Sequence, residues 1–227
     1  MLINQISFKQ DRFTPADISQ VVALHRREIG QGFLSSLGDK TLALIFSVAA
    51  DSQCGVLVTA QDRSTGRVYG FVCGATRTGA FYQEFLRRHF LSGLIALAAR
   101  LFSPSTAGKA METLLYPTKR TRVDLPAAEL LIIAVDDDYK GDGLAQALFY
   151  ELVKAFNDKG ITTFKVVAGA NLCRAQRFYQ KLGPVQSAPI EVHRGQPSIV
   201  YIYTIGNYSA PLTPRPPLSG GEGDGGE

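Results

Sequence analysis

Two glycines, Gly141 and Gly143, stand between an apolar run and a helix-forming run. Leu130 to Val135 reads as a buried strand, and Leu144 to Phe156 carries apolar residues at helical spacing. Glycines at a strand-to-helix turn leave backbone N–H groups bare, and the helix start adds the positive end of its dipole. This is the chemistry of a pyrophosphate cradle, and coenzyme A is one ligand that needs it. Two other anion loops do not fit. The dinucleotide fingerprint G-x-G-x-x-G has Gln146 where its third glycine belongs, and no acidic residue ends a second strand about 20 residues on. A P-loop would need Gly-Lys-Ser/Thr, which does not follow. Asp136, Asp137 and Asp138 just before the cradle read as loop acids rather than metal ligands.

Lys140-Gly141-Asp142-Gly143-Leu144-Ala145 fits the pattern Arg/Gln-x-x-Gly-x-Gly/Ala and resembles the coenzyme A loop of the GNAT family of N-acetyltransferases. Lys140 is the departure: it keeps the charge of an arginine without the fork. A second block follows at the expected distance. Thr163 to Ala168 reads as a strand, and Asn171 to Gly183 is similar to the family's Asn-x-x-Ala-x-x-Phe-Tyr-x-x-x-Gly helix, with one residue more between Asn171 and Ala175. Ala175, Phe178 and Leu182 recur at helical spacing, and Gly183 is a natural stop. The two motifs together span roughly residues 128–184.

The resemblance implies a single α/β domain with a mixed, curved sheet of six or seven strands and helices on both faces. It implies acetyl-CoA as cosubstrate and transfer of the acetyl group to a primary amine. Lys140, Gly141, Asp142, Gly143, Leu144 and Ala145 would hold the pyrophosphate. The pantetheine arm would pair with Ile133, Ala134 and Val135 on a strand that splays from its neighbour, and the Val135 N–H would meet the oxyanion. Asn171 would bond the arm or the acceptor, or cap a helix. Tyr179 stands where the family's tyrosine protonates the leaving thiolate, and a phenol with a pKa near 10 is a donor at neutral pH.

Strand alternation puts Glu129, Leu131, Ile133 and Val135 on one face. That makes Glu129 a candidate base, acting directly or through a water; an acid at a solvated strand edge is the alternative. In the resembled family the first helical pair walls the acceptor, which singles out His25, Glu28 and Phe33. His25 is an alternative base or else a structural histidine. The expected acceptor is a small amine such as an amino sugar.

These groups need a frame to hold them. Ile3 to Phe8 alternates as a first strand, and Thr14-Pro15-Ala16-Asp17 starts a helix that runs to about Glu28. A loop at Gly30 to Phe33 leads to a second helix, from about Asp39 to Ala50. Val56 to Ala60 and Val68 to Gly74 form a meander, and Val185 to Val192 with Ser198 to Thr204 form a C-terminal hairpin. The connection between the meander and the Glu129 strand is far longer than an ordinary loop, a helical insertion of about residues 77–124. Its run Phe90 to Phe102 is too short to span a bilayer. It would serve as a lid, a homodimer contact or a membrane-surface element, or simply pack on the sheet. Residues 209–227 are rich in Pro and Gly and read as a disordered tail after a domain of residues 1–208.

At 227 residues the chain suits one domain with an ample core. Its three cysteines lack metal spacing and read as free thiols of a reducing compartment, and the start of the chain lacks the apolar core of a secretory signal, so a cytoplasmic location is expected. The three histidines do not cluster, and a bound metal is not expected. The net charge of +4 hides an excess of +6 between Arg77 and Arg122. No nucleic-acid motif accompanies it. Two rival functions remain open: a sensor that binds acyl-CoA without turnover, and a membrane-surface acyltransferase working on a lipid-linked acceptor.

Overall fold

The computed structural model describes residues 5–29, 38–88, 125–193 and 196–208. Phe33, most of the expected insertion (89–124) and the tail (209–227) lie outside the described residues. Within them the chain runs β1 (Ile6–Lys9), α1 (Pro15–Glu28), α2 (Asp39–Asp51), β2 (Gly55–Asp62), β3 (Val68–Ala75), α3 (Thr78–Arg88), β4 (Ala128–Val135), α4 (Leu144–Asp158), β5 (Thr163–Gly169), α5 (Cys173–Lys181), β6 (Gln186–His193) and β7 (Gln196–Thr204). Short 3-10 turns occupy Asp137–Tyr139 and Ile205–Tyr208.

The strands form one open seven-stranded sheet in the order β1-β2-β3-β4-β5-β7-β6. Every neighbour pair is antiparallel except β4 with β5. Two helical layers cover it. Val21, Leu42, Phe46 and Phe81 from α1, α2 and α3 bury Leu57, Phe71, Ile132 and Ala134 on one face. On the other face, Leu148, Phe149, Leu152 and Phe156 of α4 and Tyr179 of α5 pack on Val58, Leu130, Val166, Tyr201 and Tyr203.

Local chemistry fixes the ends of α1. The Thr14 hydroxyl accepts from the Asp17 N–H, and Asp17 accepts from the Thr14 N–H, a complete capping box after which Pro15 enters the helix. Lys9 of β1 donates to the same carboxylate at 2.8 Å, and Gln61 of β2 at 3.0 Å, so one buried acid ties the helix start to two strands.

Two features of β4 shape the centre of the molecule. It pairs with β5 at Ala128–Phe164, Glu129–Lys165 and Leu130–Val166, and then the two parallel strands separate. Its far half, Leu131 to Val135, keeps β3 on one side and, among the described residues, has no strand on the other. Opposite this half, Cys73 faces Ile132 and Gly74 faces Leu130, so Leu131 is an extra residue, a β-bulge.

Candidate active site

The bulge changes which side chains share a face. Ala128 and Leu130 point to the α4 layer, and strict alternation would send Ile132 and Ala134 there as well. Instead these two pack with α1 and α2, while Val135 and Ile133 join the α4 layer. The expectation that Glu129, Leu131, Ile133 and Val135 share one face is therefore corrected. Glu129 lies opposite Ile133 and Val135, because the inserted residue reverses the pleat between them.

The strand that would carry the arm is as expected in its pairing. Ile133, Ala134 and Val135 face Val72, Phe71 and Gly70 of β3, and their other edge is open toward the gap beside β5. A chain of amides lying in that gap would find a strand edge ready to pair.

At the top of the gap the backbone turns into α4. Gly143 is the N-cap at φ 83°, in the left-handed region, and no side chain caps the helix. Gly141 is also left-handed, at φ 101°. The first N–H groups of a helix have no internal acceptor, and among the described residues no side chain takes its place at the cap. A Cβ built on either glycine meets nothing within 4 Å. Bare donors, open space and positive φ at Gly141 and Gly143 are compatible with an anion such as a pyrophosphate. The turn is anchored from below by Tyr139, buried and stacked on Tyr69 of β3 with ring centroids 4.4 Å apart.

Lys140 and Asp136 are more engaged than their sequence suggests. Lys140 donates to Glu28 Oε2 at 2.6 Å and to Asp137 Oδ1. These two carboxylates push its pKa upward, Asp137 being the stronger cause. Asp136 is buried at the end of β4. Its N–H bonds the Tyr69 carbonyl, and its carboxylate takes Arg27 Nη2 at 2.7 Å with Arg67 Nη2 at 3.7 Å. Arg27 donates to Glu28 Oε1 at 2.8 Å, which closes a network between α1 and the turn. Sequence reasoning passed over Arg27 and Arg67. No spacing signals a bond between residues 109 apart, as Arg27 and Asp136 are. Arg174, exposed at the start of α5, also lowers the pKa of Asp137 through space, after Lys140 and Arg27, and so brings a further cation near the cradle.

Tyr179 is buried on α5, its ring 5.9 Å from that of Tyr201. Burial, reinforced by Tyr201, pushes its phenol well above the ordinary range. Tyr203 donates to the Tyr179 carbonyl at 2.7 Å and fixes the helix over the sheet. Glu129 lies at the closed foot of the gap, 3.2 Å from Lys165 Nζ and accepting from Thr78 Oγ1 at 3.0 Å. It is thus a paired acid, not the solvated edge acid of the alternative reading. Asn171 precedes α5 and is exposed; the N-cap is Leu172, so the capping reading of Asn171 is corrected. Gln176 instead secures that turn by donating to the Gly169 and Ala170 carbonyls.

The acceptor-side residues separate. Glu28 reaches the cradle through Lys140. His25 is 1 % exposed, with its ring 5.8 Å from Phe46 and 6.5 Å from Phe71. Burial, aided by the charge of Arg26, lowers its pKa, so it is a neutral core ring. The expectation of an acceptor contact or base at His25 gives way to its structural reading, because the apolar stripe of α1 carries it inward. Phe33 lies outside the described residues.

Comparison with known proteins adds a sequence-level match. The model of the "Acetyltransferase (GNAT) family" matches residues 26–183. No curated protein matches the chain. Similar solved structures include the ribosomal-protein-S18-alanine N-acetyltransferase of Escherichia coli, with 15 % identity and TM-score 0.51 over 88 % of this chain and 94 % of that one. NAA60 of Arabidopsis thaliana in complex with acetyl-CoA has 15 % identity and TM-score 0.53, over 88 % and 99 %. A mutant of the spermidine N-acetyltransferase SpeG of Vibrio cholerae has 12 % identity and TM-score 0.54, over 91 % and 98 %. At these identities the likeness speaks for the fold alone.

Proposed function

The chain belongs to the GNAT family of acetyltransferases, and from that premise we propose that it moves an acetyl group from acetyl-CoA to the primary amine of a small molecule, such as an amino sugar, by direct attack. The observation that carries this reading is the open edge of β4, followed after the Asp137–Tyr139 turn and the two left-handed glycines by the uncapped start of α4. One feature offers amide pairing for an arm and the other bare N–H groups for a pyrophosphate, in the order coenzyme A requires.

Glu129 faces the α3 side of the sheet, where it accepts from Thr78, and Tyr179 lies in the α4–α5 layer on the other side. An amine approaching from the α1–α3 face attacks the thioester carbonyl carbon. The C–N bond forms, the C–S bond breaks, and the thiolate leaves toward the α5 face. Tyr179 gives the thiolate its proton. The amine's proton leaves on the Glu129 side, directly or through a water. Backbone donation from Val135 would stabilise the oxyanion. Holding the thioester beside the amine supplies much of the acceleration.

The test is thiol release from acetyl-CoA across a panel of amines, with wild type beside Tyr179→Phe. Amine-dependent release that falls about 10²-fold or more in the variant supports the acid assignment. Tight coenzyme A binding without release for any amine would favour the sensor reading instead.

A further inference from the structure

The charged network where α1 meets the cradle bears on cosubstrate capture, and the inference rests on the pyrophosphate reading above. The Glu28 side chain is 4 % exposed, and both of its oxygens are engaged, Oε1 by Arg27 and Oε2 by Lys140. Asp137 holds the same lysine from the other side. Within the network three cations, Arg27, Arg67 and Lys140, face three acids, Glu28, Asp136 and Asp137. A pyrophosphate arriving at Gly141 to Ala145 adds negative charge beside Asp137, Asp138 and Asp142. The cation closest to it in sequence is committed elsewhere.

We propose that Glu28 is a positioning residue for cosubstrate capture, holding Lys140 against the end of α1 until the pyrophosphate of acyl-CoA takes the ammonium over. A lysine suits such an exchange. Its ammonium is a point charge on a flexible stem, able to turn from one anion to another, whereas an arginine fork would lock onto a carboxylate with two bonds. The hand-over is not free. Glu28 keeps Arg27 on Oε1 but loses the cation on Oε2, in a place where water reaches it poorly. That loss subtracts from cosubstrate affinity and, by the same amount, favours release of coenzyme A after transfer.

The prediction has an unusual sign: removing an acid that contacts the loop tightens binding. Calorimetry of coenzyme A on wild type, Glu28→Gln, Lys140→Gln and the double variant reads it. Glu28→Gln should bind coenzyme A about tenfold more tightly, and Lys140→Gln more weakly. In the Lys140→Gln background, Glu28→Gln should change nothing, since there is no lysine left to release. Weaker or unchanged binding in Glu28→Gln overturns the proposal, as a supporting role in the fold would give that result. Equal tightening in both backgrounds also overturns it, leaving only bulk charge. Lys140→Arg is an independent check that leaves Glu28 in place. It should weaken coenzyme A about fivefold despite keeping the charge, because the fork holds Glu28 more firmly; unchanged affinity counts against the exchange. Failure of the wild type to bind coenzyme A would strike the cradle itself and is distinct from all of these.

Discussion

At the scale of single residues, the two left-handed glycines are the most exacting positions in the candidate site. Replacing Gly143 by Glu puts a Cβ where φ is 83° and sets a carboxylate in the open space proposed for the pyrophosphate. Gly143→Glu is expected to abolish coenzyme A binding by calorimetry while the protein stays folded by circular dichroism. Normal binding would refute the cradle. Tyr179 allows a prediction about pH. Its pKa moves upward from about 10, so the phenol keeps its proton throughout the range from about pH 7 to 9. Turnover at saturating amine should show no falling limb from this group there. A decline present in wild type and missing in Tyr179→Phe would contradict the assignment. His25 shows what residue type alone leaves open: in sequence the imidazole reads as an alternative base or a structural histidine, and in the structure it is a buried ring beside Phe46 and Phe71.

Among the elements, α1 and β4 do most to place the site. Asp17 is both the capping-box acid of α1 and the partner of Lys9. Burial raises its pKa, but Lys9 and the hydrogen bonds from Thr14 and Gln61 outweigh this and hold it down to about 2. A carboxyl lowered on folding contributes stability that is complete above its unfolded pKa, about 3.9, and disappears as pH falls toward 2. Asp17→Asn should therefore cost about 2 kcal/mol in urea unfolding at pH 7, with the gap to wild type closing between about pH 4 and pH 2. A gap that persists at pH 2 would mean that packing, not charge, is at work. The boundaries of α1 were legible because Thr14, Pro15 and Asp17 are local signals. The bulge in β4 was not, since nothing in Ala128 to Val135 marks Leu131 as the extra residue. Its position is set by Cys73 and Gly74 on the neighbouring strand.

For the molecule as a whole, the decisive feature is the separation of β4 from β5 above Leu130 and Val166. The two strands are paired at the foot, from Ala128–Phe164 to Leu130–Val166, and both pack on the α4 layer, yet their pairing stops there. Coenzyme A filling the gap would give the free edge of β4 a partner. Amide hydrogen exchange in Leu131 to Val135 should slow on adding coenzyme A, while Ala128 to Leu130, already paired on both sides, should change little. Uniform slowing across the sheet would indicate general stabilisation by binding instead. Among the described residues no helix is long and apolar enough to cross a membrane.

The sequence by itself determined the strand–turn–helix around Gly141 and Gly143, the helix that carries Tyr179 and the family they signal, because glycine positions, caps and apolar periodicity act over a few residues. It also placed Tyr179 on its helix and the helical layers on both faces. Only the tertiary structure decided where Glu129 points, what holds Lys140 and why His25 is silent. Those outcomes depend on partners such as Gly74, Glu28 and Phe46. Hydrogen bonding between strands and ion pairing across the fold join residues that the chain itself keeps far apart.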